Sequence, residues 1–208
     1  MIAIWGFILG CSEYVVNQDK KRNPVEPPPA PIEDNEGDAP NWADCMEGYS
    51  GMYFNHEATH EDFAKTIEDT GVPIQIPLVD WWDPEYRSFF RYDASLDFGP
   101  FWWPVDDGFE TDPSYFTAQW NAWLRVYENN QTLSFVVGSF GEVWILKQDQ
   151  VIYHRSISED YEVELIEIAL ERGQYPITIL YAHRDGEAGF GFRLASDNGQ
   201  ICYPELEE

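Results

Sequence analysis

The residue pattern with the most specific chemical meaning is His56–His60, which reads HEATH and fits the H-E-x-x-H pattern. On a helix the two histidines would share one face, where they could bind zinc while Glu57 activates a water molecule, as in metalloproteases. In metzincins a third ligand falls three residues after a glycine, and Glu61-Asp62-Phe63 continue the sequence without that pattern. Three interpretations stay open: a solvated helix or loop, incidental metal binding through His56 and His60, and a zinc metalloprotease. We expect the first, and therefore no enzyme.

Two tandem tryptophan pairs lie in residues 81–103, a segment with ten aromatic side chains. The pairs are Trp81-Trp82 and Trp102-Trp103, and the carboxylates beside them are Asp80, Asp83, Asp106 and Asp107. Aromatic faces stack with the weakly apolar C–H faces of sugars, and carboxylates accept hydrogen bonds from hydroxyls. These residues therefore predict a glycan or peptide platform. The alternative is that the rings fill or cover the core, because adjacent residues of a strand point in opposite directions.

The acidic residues after the second pair offer a possible calcium loop. Asp106-Asp107-Gly108 is followed by Glu110 and Asp112, and calcium prefers several oxygen ligands. The alternative is an acidic surface loop that binds nothing. We expect no cofactor, with calcium at this loop as the exception to test.

The charge of the chain excludes several classes of partner. The 208 residues include 38 acidic and 12 basic ones, which gives a net charge of −26 and an isoelectric point near 4.2. Such a chain has no basic face to bind nucleic acid, and electrostatics would not attract it to an anionic membrane. Metal cations and neutral polar ligands such as sugars remain compatible with this charge.

The first residues resemble the export signal of a bacterial lipoprotein. Met1–Gly10 is uncharged and almost wholly apolar, but it is too short to span a bilayer. Ile8–Cys11 is similar to the lipobox, which implies cleavage before Cys11 and attachment of a lipid to its sulfur. Ser12 then implies the outer membrane or cell surface of a bacterium. The alternative is a buried apolar start with an incidental cysteine.

Two more cysteines and a proline-rich segment complete the predicted organisation. If Cys11 is acylated, Cys45 and Cys202 are left to form a disulfide, since an exported protein lies where such a bond persists. Two unrelated buried thiols are the alternative. Residues 11–43 combine prolines with acidic residues and predict an extended spacer. We therefore expect a signal peptide over 1–10, a lipidated linker over 11–43 and a folded domain over 44–208.

Within that domain the dominant hydrophobic period is two, which is typical of β-strands. The predicted strands are Tyr115–Val126, Thr132–Val137, Glu142–Lys147, Gln150–His154, Tyr161–Leu170, Pro176–His183 and Ala188–Ala195. The turn residues 128–131 predict that the first two form a hairpin, and a break in apolar alternation at Leu165–Ile166 predicts a β-bulge. One helix is predicted over His56–Asp69. The fold class is an all-β antiparallel sandwich or barrel with one short helical insertion and a disordered N-terminal segment.

Seven segments, in order, resemble the landmarks of the protective-antigen domain family, the PA-fourteen module. They are Gly48–Asn55, Ala94–Gly99, Tyr115–Val126, Leu133–Val143, Gln150–Ile152, Leu170–Ile177 and Gly189–Leu194. The resemblance implies a β-domain found in toxins, glycosidases and adhesins, often one that binds carbohydrate. Lectin-like members hold calcium through two adjacent aspartates, but residues 138–142 read GSFGE here. We therefore do not expect that calcium site.

These observations predict a surface-anchored lipoprotein whose β-domain binds carbohydrate or a cell-envelope glycan. The membrane would be contacted through the lipid alone, and no nucleic acid would be bound. The alternative is a structural or adhesive surface module without a small ligand, joined to a protein partner through its aromatic patch. The zinc metalloprotease remains the second alternative.

Overall fold

The structure, a computed structural model, describes residues 45–57, 80–104, 115–156, 160–184 and 186–203. All of them belong to residues 38–208, one of the two units into which the chain divides. The predicted signal peptide, Cys11 and the whole predicted linker therefore lie outside the described residues. In the described part, no helix is long and apolar enough to cross a membrane.

The described residues form antiparallel β-strands with a single 3₁₀ turn at Pro84–Tyr86. The strands are β1 (Tyr49–Asn55), β2 (Arg87–Asp93), β3 (Leu96–Pro100), β4 (Tyr115–Val126), β5 (Gln131–Ser139), β6 (Glu142–Lys147), β7 (Gln150–Arg155), β8 (Glu162–Leu170), β9 (Gly173–Arg184), β10 (Gly189–Leu194) and β11 (Gly199–Cys202). The predicted all-β antiparallel fold class is confirmed. Every strand predicted between residues 115 and 195 is present, with ends that shift by up to three residues.

The strands make two sheets that share one core. The larger sheet has the order β2-β1-β4-β9-β6-β7, and β11 also pairs with β4. The smaller sheet has the order β3-β10-β5-β8. Alternate residues of β4 point into the space between the sheets, where the buried Trp120 ring stacks on Phe190 of β10 at 4.8 Å. We call the other side of the larger sheet, away from this core, its outer face.

A disulfide joins the first described residue to the last strand. Cys45 and Cys202 are bonded, with their Cα atoms 5.5 Å apart and 157 positions apart in sequence. A backbone hydrogen bond from Tyr203 N to Met46 O, 2.7 Å long, lies beside it. The predicted disulfide is therefore confirmed, and it holds both ends of the described domain together.

The predicted hairpin between β4 and β5 is wrong. β4 pairs with β1, β9 and β11, whereas β5 pairs with β10 and β8 in the other sheet. The turn after Val126 therefore carries the chain from one sheet to the other. Turn residues indicate that the chain reverses, but both strands bury an apolar face in the same core from opposite sides, so their pattern does not identify their pairing partners.

The predicted β-bulge in β8 is also wrong. The pairing of β8 with β5 runs without a shift in register from Gln131–Leu170 to Ser139–Glu162. The alternation breaks because Val163 and Leu165 lie on the exposed side of this edge strand, with 62% and 60% of their surface accessible. Apolar residues on both faces, rather than an extra residue, produce the irregular pattern.

The predicted helix over His56–Asp69 falls largely outside the described residues. Only His56 and Glu57 are described, and neither is helical. His56 continues the pairing of β1, because its amide donates a hydrogen bond to Tyr115 O at 2.9 Å.

Candidate functional site

The outer face of the larger sheet carries a second, smaller apolar cluster. Its buried members are Trp81, Trp144, Leu180 and Ala182. Trp144 and Leu180 are direct neighbours on β6 and β9, because alternate residues of paired strands share a face. Trp81 comes from the segment before β2 and covers them, with its ring 6.3 Å from that of Trp144. We call these four residues the outer cluster.

The segment that supplies Trp81 is fastened to the sheet at several points. Thr117 Oγ1 donates to the Trp81 carbonyl at 2.8 Å. Asp83 N donates to Asp80 O at 2.9 Å, and the Asp83 carboxylate accepts the amide of Glu85 at 2.9 Å, which caps the 3₁₀ turn. The segment from Asp80 to Tyr86 therefore has a defined path across the outer face.

Trp82 is held in one orientation beside the outer cluster. Its indole Nε1 donates to the Ala118 carbonyl at 3.1 Å, and its ring meets Trp144 edge-on at 5.7 Å. The side chain is half-buried. A partly exposed indole whose hydrogen bond is already made offers a rigid apolar wall to a ligand.

A pocket of about 360 Å³ opens beside Trp82 on the outer face. Its lining residues come from the Asp80–Asp83 segment, β4, β6, β9 and the turn between β6 and β7: Asp80, Trp82, Asp83, Gln119, Leu146, Asp149, Thr178 and Leu180. The described lining thus combines three carboxylates, an amide and a hydroxyl with apolar surface, and no residue in it is basic. Small-molecule sites combine apolar walls with placed polar groups, and in this pocket the polar lining residues outnumber the apolar ones.

The polar floor of the pocket is ordered by Asn121. Its side-chain carbonyl accepts from Thr178 Oγ1 at 2.9 Å and from Gln119 Nε2 at 3.3 Å. Asn121 and Thr178 are direct cross-strand partners on β4 and β9. The strand register therefore sets the positions of the hydroxyl and the amide before any ligand arrives.

A buried ion pair lies at the other end of the outer cluster. Arg184 Nη2 donates to Glu142 Oε2 at 2.5 Å, and both side chains are almost fully buried. Burial raises the pKa of Glu142 to about 7, although Arg184 acts to lower it. His154 Nε2 is 4.0 Å from Glu142 Oε1, its ring stacks on Trp144 at 5.1 Å, and burial lowers its pKa.

Glu142 also ends the stretch in which the resembled family has its calcium aspartates. The single carboxylate of residues 138–142 faces Arg184, and Ser139 Oγ donates to the Gly141 carbonyl at 2.6 Å. In the described part of the chain, no group of three His, Cys, Asp or Glu side chains is placed to hold a metal ion. The calcium loop predicted at Asp106 and Asp107 lies outside the described residues.

The predicted zinc motif is described only at its start. His56 is buried, its Nε2 lies 3.2 Å from Thr117 Oγ1, and its ring packs against Tyr86 at 5.2 Å. These contacts make His56 part of the packing under the Asp80–Tyr86 segment. His60 lies outside the described residues, so its role as a ligand stays a prediction.

The two tryptophan pairs occupy different parts of the molecule. Trp102 is half-buried against the core between the sheets, where it stacks on Phe98 at 4.1 Å, and Trp103 is 41% exposed. Trp81 has no exposed surface, whereas Trp82 lines the pocket. A ligand-binding role for Trp102, Trp103, Asp106 and Asp107 stays a prediction; among the four tryptophans, the pocket includes Trp82 alone.

Sequence reasoning identified Trp82, Asp80 and Asp83 but missed the rest of the pocket. Gln119 and Thr178 belong to the outward-facing set of β4 and β9, which the alternation already distinguishes from the core set. Their proximity depends on the pairing of strands about 60 residues apart in the chain, Gln119 opposite Leu180. A sequence shows which residues face outward but not which strands are neighbours.

Comparisons with known proteins support the fold. No protein-family model matches the sequence, and no curated protein does. Among solved structures, the PA14 domain of the MpAFP antifreeze protein has a TM-score of 0.52 and 15% identity, over 77% of this chain and 93% of that one. The A domain of epithelial adhesin 9 from Candida glabrata, in complex with Galβ1-4GlcNAc, has a TM-score of 0.50 and 12% identity, over 83% and 89%.

A third similar structure is larger than this chain. It is an anti-sigma factor domain-containing protein with a TM-score of 0.49 and 16% identity, and this chain spans 47% of its length. The antifreeze-protein domain and the adhesin domain, which this chain covers almost entirely, have the architecture that the seven landmark segments predict. The described domain therefore has a PA14-like β-sandwich fold.

Proposed function

We propose that this protein is a carbohydrate-binding module, and that sugars bind in the pocket beside Trp82. The observation that carries the proposal is the composition of that pocket, in which a fixed indole stands next to three carboxylates, an amide and a hydroxyl. Sugars present both ring C–H surface and many hydroxyls, so they need both kinds of partner at once. The pocket volume of about 360 Å³ lies near the lower end for small-ligand sites.

Each polar group in the pocket suits a hydroxyl-rich ligand. The carboxylates of Asp80, Asp83 and Asp149 accept hydrogen bonds from sugar hydroxyls, and such charge-assisted bonds are the stronger kind. Gln119 and Thr178 supply mixed donor and acceptor groups. The adhesin A domain that is similar in fold to this chain was solved in complex with the disaccharide Galβ1-4GlcNAc. That complex supports carbohydrate as the ligand class.

The test is a glycan array followed by calorimetric titration of the best ligand. We expect saturable binding by the intact protein and a loss of about tenfold or more in affinity for Trp82→Ala, since one desolvated aromatic wall contributes about 1.4 kcal/mol or more. Asp149→Asn should weaken binding while it keeps the backbone, because Asp149 has a φ of 63° that Asn tolerates well.

Trp103→Ala is the matched control, because it removes an exposed indole that does not line the pocket. It should bind like the unaltered protein. Loss of binding in Trp103→Ala with normal binding in Trp82→Ala would place the site at the second tryptophan pair. No saturable binding to any glycan would overturn the proposal.

We further propose that the domain is displayed on a bacterial envelope by a lipid on Cys11, with residues 12–43 as the spacer. The support is the apolar Met1–Gly10 stretch and the Ile8–Cys11 resemblance. The measured quantity is the intact mass of protein extracted from membranes of an expressing bacterium. We expect an acylated chain that begins at Cys11, and Cys11→Ser should appear in the soluble fraction with no acyl mass.

A structural or adhesive module without a small ligand is the second candidate. Its support is the exposed apolar side of the edge strand β8, at Val163 and Leu165. Sedimentation of the intact protein distinguishes the two: concentration-dependent association that Leu165→Lys abolishes, together with a blank glycan array, would favour this candidate.

A further inference from the structure

A line of side chains connects the pocket to the far edge of the larger sheet. Gln119 of β4 is opposite Met52 of β1, and Met52 is opposite Phe90 of β2. Leu180 of β9 continues the same line on the other side of Gln119. Directly opposed residues of antiparallel strands share a face, so the pocket floor and Phe90 both belong to the outer face.

At the end of this line two aromatic rings are exposed. Phe90 and Tyr92 are adjacent on the outer side of β2, with 56% and 40% of their surface accessible. The Tyr92 hydroxyl donates to the Glu47 carbonyl, and its ring meets Tyr203 edge-on at 4.9 Å. These contacts hold the exposed ring of Tyr92 in place from outside the core.

The inner side of β2 explains why these rings do not simply complete the core. Arg91 Nε donates to Asp93 at 2.7 Å, and Tyr53 and Trp120 also bond to the Asp93 carboxylate at 2.5 and 3.0 Å. These residues fasten β2 from the core side. Phe90 and Tyr92 take no part in these core-side contacts of β2. Exposed aromatic groups on a rigid strand are characteristic of binding surfaces.

The distance between the pocket and this pair sets the size of ligand that would use both. Leu180 on β9 is three strand spacings from Phe90 on β2, about 14 Å at about 4.8 Å per spacing. A disaccharide in the pocket does not reach that far. A longer unbranched glycan laid across the strands would pass Gln119 and Met52 and stack on Phe90.

The charge along the line restricts the ligand further. Three carboxylates line the pocket, no described lining residue is basic, and the whole chain carries −26. An acidic sugar at the pocket would meet like charge at short range. Neutral sugars meet no such penalty.

We infer that the pocket beside Trp82 and the Phe90–Tyr92 pair form one binding path for a glycan chain without acidic groups that is longer than a disaccharide. The inference rests on the proposed carbohydrate-binding function and adds a second contact region, a length requirement and a charge preference to it. Phe90 is the residue that distinguishes long ligands from short ones.

The experiment measures affinity for glycans graded in length from a single ring to a hexasaccharide, in neutral and uronic-acid series. The intact protein is compared with Phe90→Ala. We expect Phe90→Ala to bind the short neutral glycans normally and to bind the hexasaccharide roughly three- to tenfold more weakly, the value of one aromatic contact. Trp82→Ala should weaken binding to both lengths, and the uronic-acid series should bind more weakly at every length.

Leu165→Ala is the matched control, because it removes a similarly exposed apolar side chain from β8 of the other sheet. It should leave all affinities unchanged. Equal affinity for short and long glycans, or equal losses in Phe90→Ala for both, would overturn the path but leave the pocket as the binding site. A preference for uronic acids would overturn the charge requirement. Absence of binding to every glycan would overturn the path and the proposed function together.

Discussion

At the scale of single residues, the buried Glu142 is a carboxylate whose charge state depends on its surroundings. Its carboxylate contacts Arg184 at 2.5 Å and lies 4.0 Å from His154. Burial nevertheless dominates and raises its pKa to about 7, because a carboxylate loses more hydration on burial than one partner restores. Glu142 is therefore a source of pH-dependent stability within the range where proteins are usually handled.

We predict that Glu142 makes the protein less stable as the pH rises from about 4.5 to about 7. A pKa that is higher in the folded state than in the unfolded chain means that folding favours the proton. The resulting stabilisation is complete below the unfolded pKa of about 4.3 and is lost as the pH rises through about 7. The expected size is about 3 kcal/mol, from 1.36 kcal/mol per pKa unit.

The measurement is urea unfolding of the intact protein and of Glu142→Gln at a series of pH values. His154 is present in both proteins, so the difference between the two curves reports Glu142 together with its coupling to His154, which lies 4.0 Å away. That difference should change by about 3 kcal/mol across this range. Parallel curves would show that folding does not raise the pKa of Glu142.

At the scale of elements, the Asp80–Tyr86 segment is a cover for one sheet rather than part of a sheet. It places Trp81 on Trp144 and Leu180, and it leaves Trp82 as the pocket wall. The Trp81 ring also contacts the Arg184 guanidinium, which lies 5.4 Å from the centre of the indole ring. One short segment thus connects the ion pair, the outer cluster and the pocket.

We predict that Trp81→Ala lowers the free energy of unfolding by about 3 to 5 kcal/mol, because it removes a fully buried indole and leaves a cavity over Trp144. It should also weaken glycan binding, since Trp82 loses its supporting neighbour. The comparison is Trp103→Ala, which removes an exposed indole and should change stability by less than about 1 kcal/mol. Similar small losses in both variants would mean that the segment is not anchored by Trp81.

At the scale of the whole molecule, the Cys45–Cys202 disulfide closes almost the entire domain. The bond spans 157 positions and adds to the pairing of β11 with the far end of β4. In the chain-entropy model a loop of this length restricts the unfolded chain by about 5 kcal/mol. The ends of the described domain are therefore joined both covalently and by hydrogen bonds.

We predict that Cys45→Ala with Cys202→Ala lowers the free energy of unfolding by about 2 to 5 kcal/mol without a change of fold. Cys11→Ser is the matched control, and it should leave stability unchanged because Cys11 does not take part in the bond. The measurement is chemical unfolding with and without a reductant. The double variant keeps Cys11 as its single cysteine. If reduction destabilised it as much as the unaltered protein, the effect of the reductant would not come from the Cys45–Cys202 bond.

Much of this molecule follows from its pattern of side chains. Period-two alternation locates β4 to within a residue, because one face of each strand must be apolar to enter the core. Cysteine arithmetic identifies the disulfide, and the concentration of tryptophans and aspartates marks the segment that reaches the pocket. Composition and charge predict that nucleic acid is not a partner.

Only the tertiary structure decided which strands are neighbours and, with them, the site. The apolar alternation of β4 is the same whether β5 pairs with it or crosses to the other sheet. The exposed apolar residues of β8 break the alternation as a bulge would, although the register of β8 with β5 is regular. Trp81 and Trp82 are alike in sequence, yet one is buried and one lines the pocket. Pairing between distant strands depends on the packing of both sheets at once, so no local pattern places Gln119, Thr178 and Trp82 in one pocket.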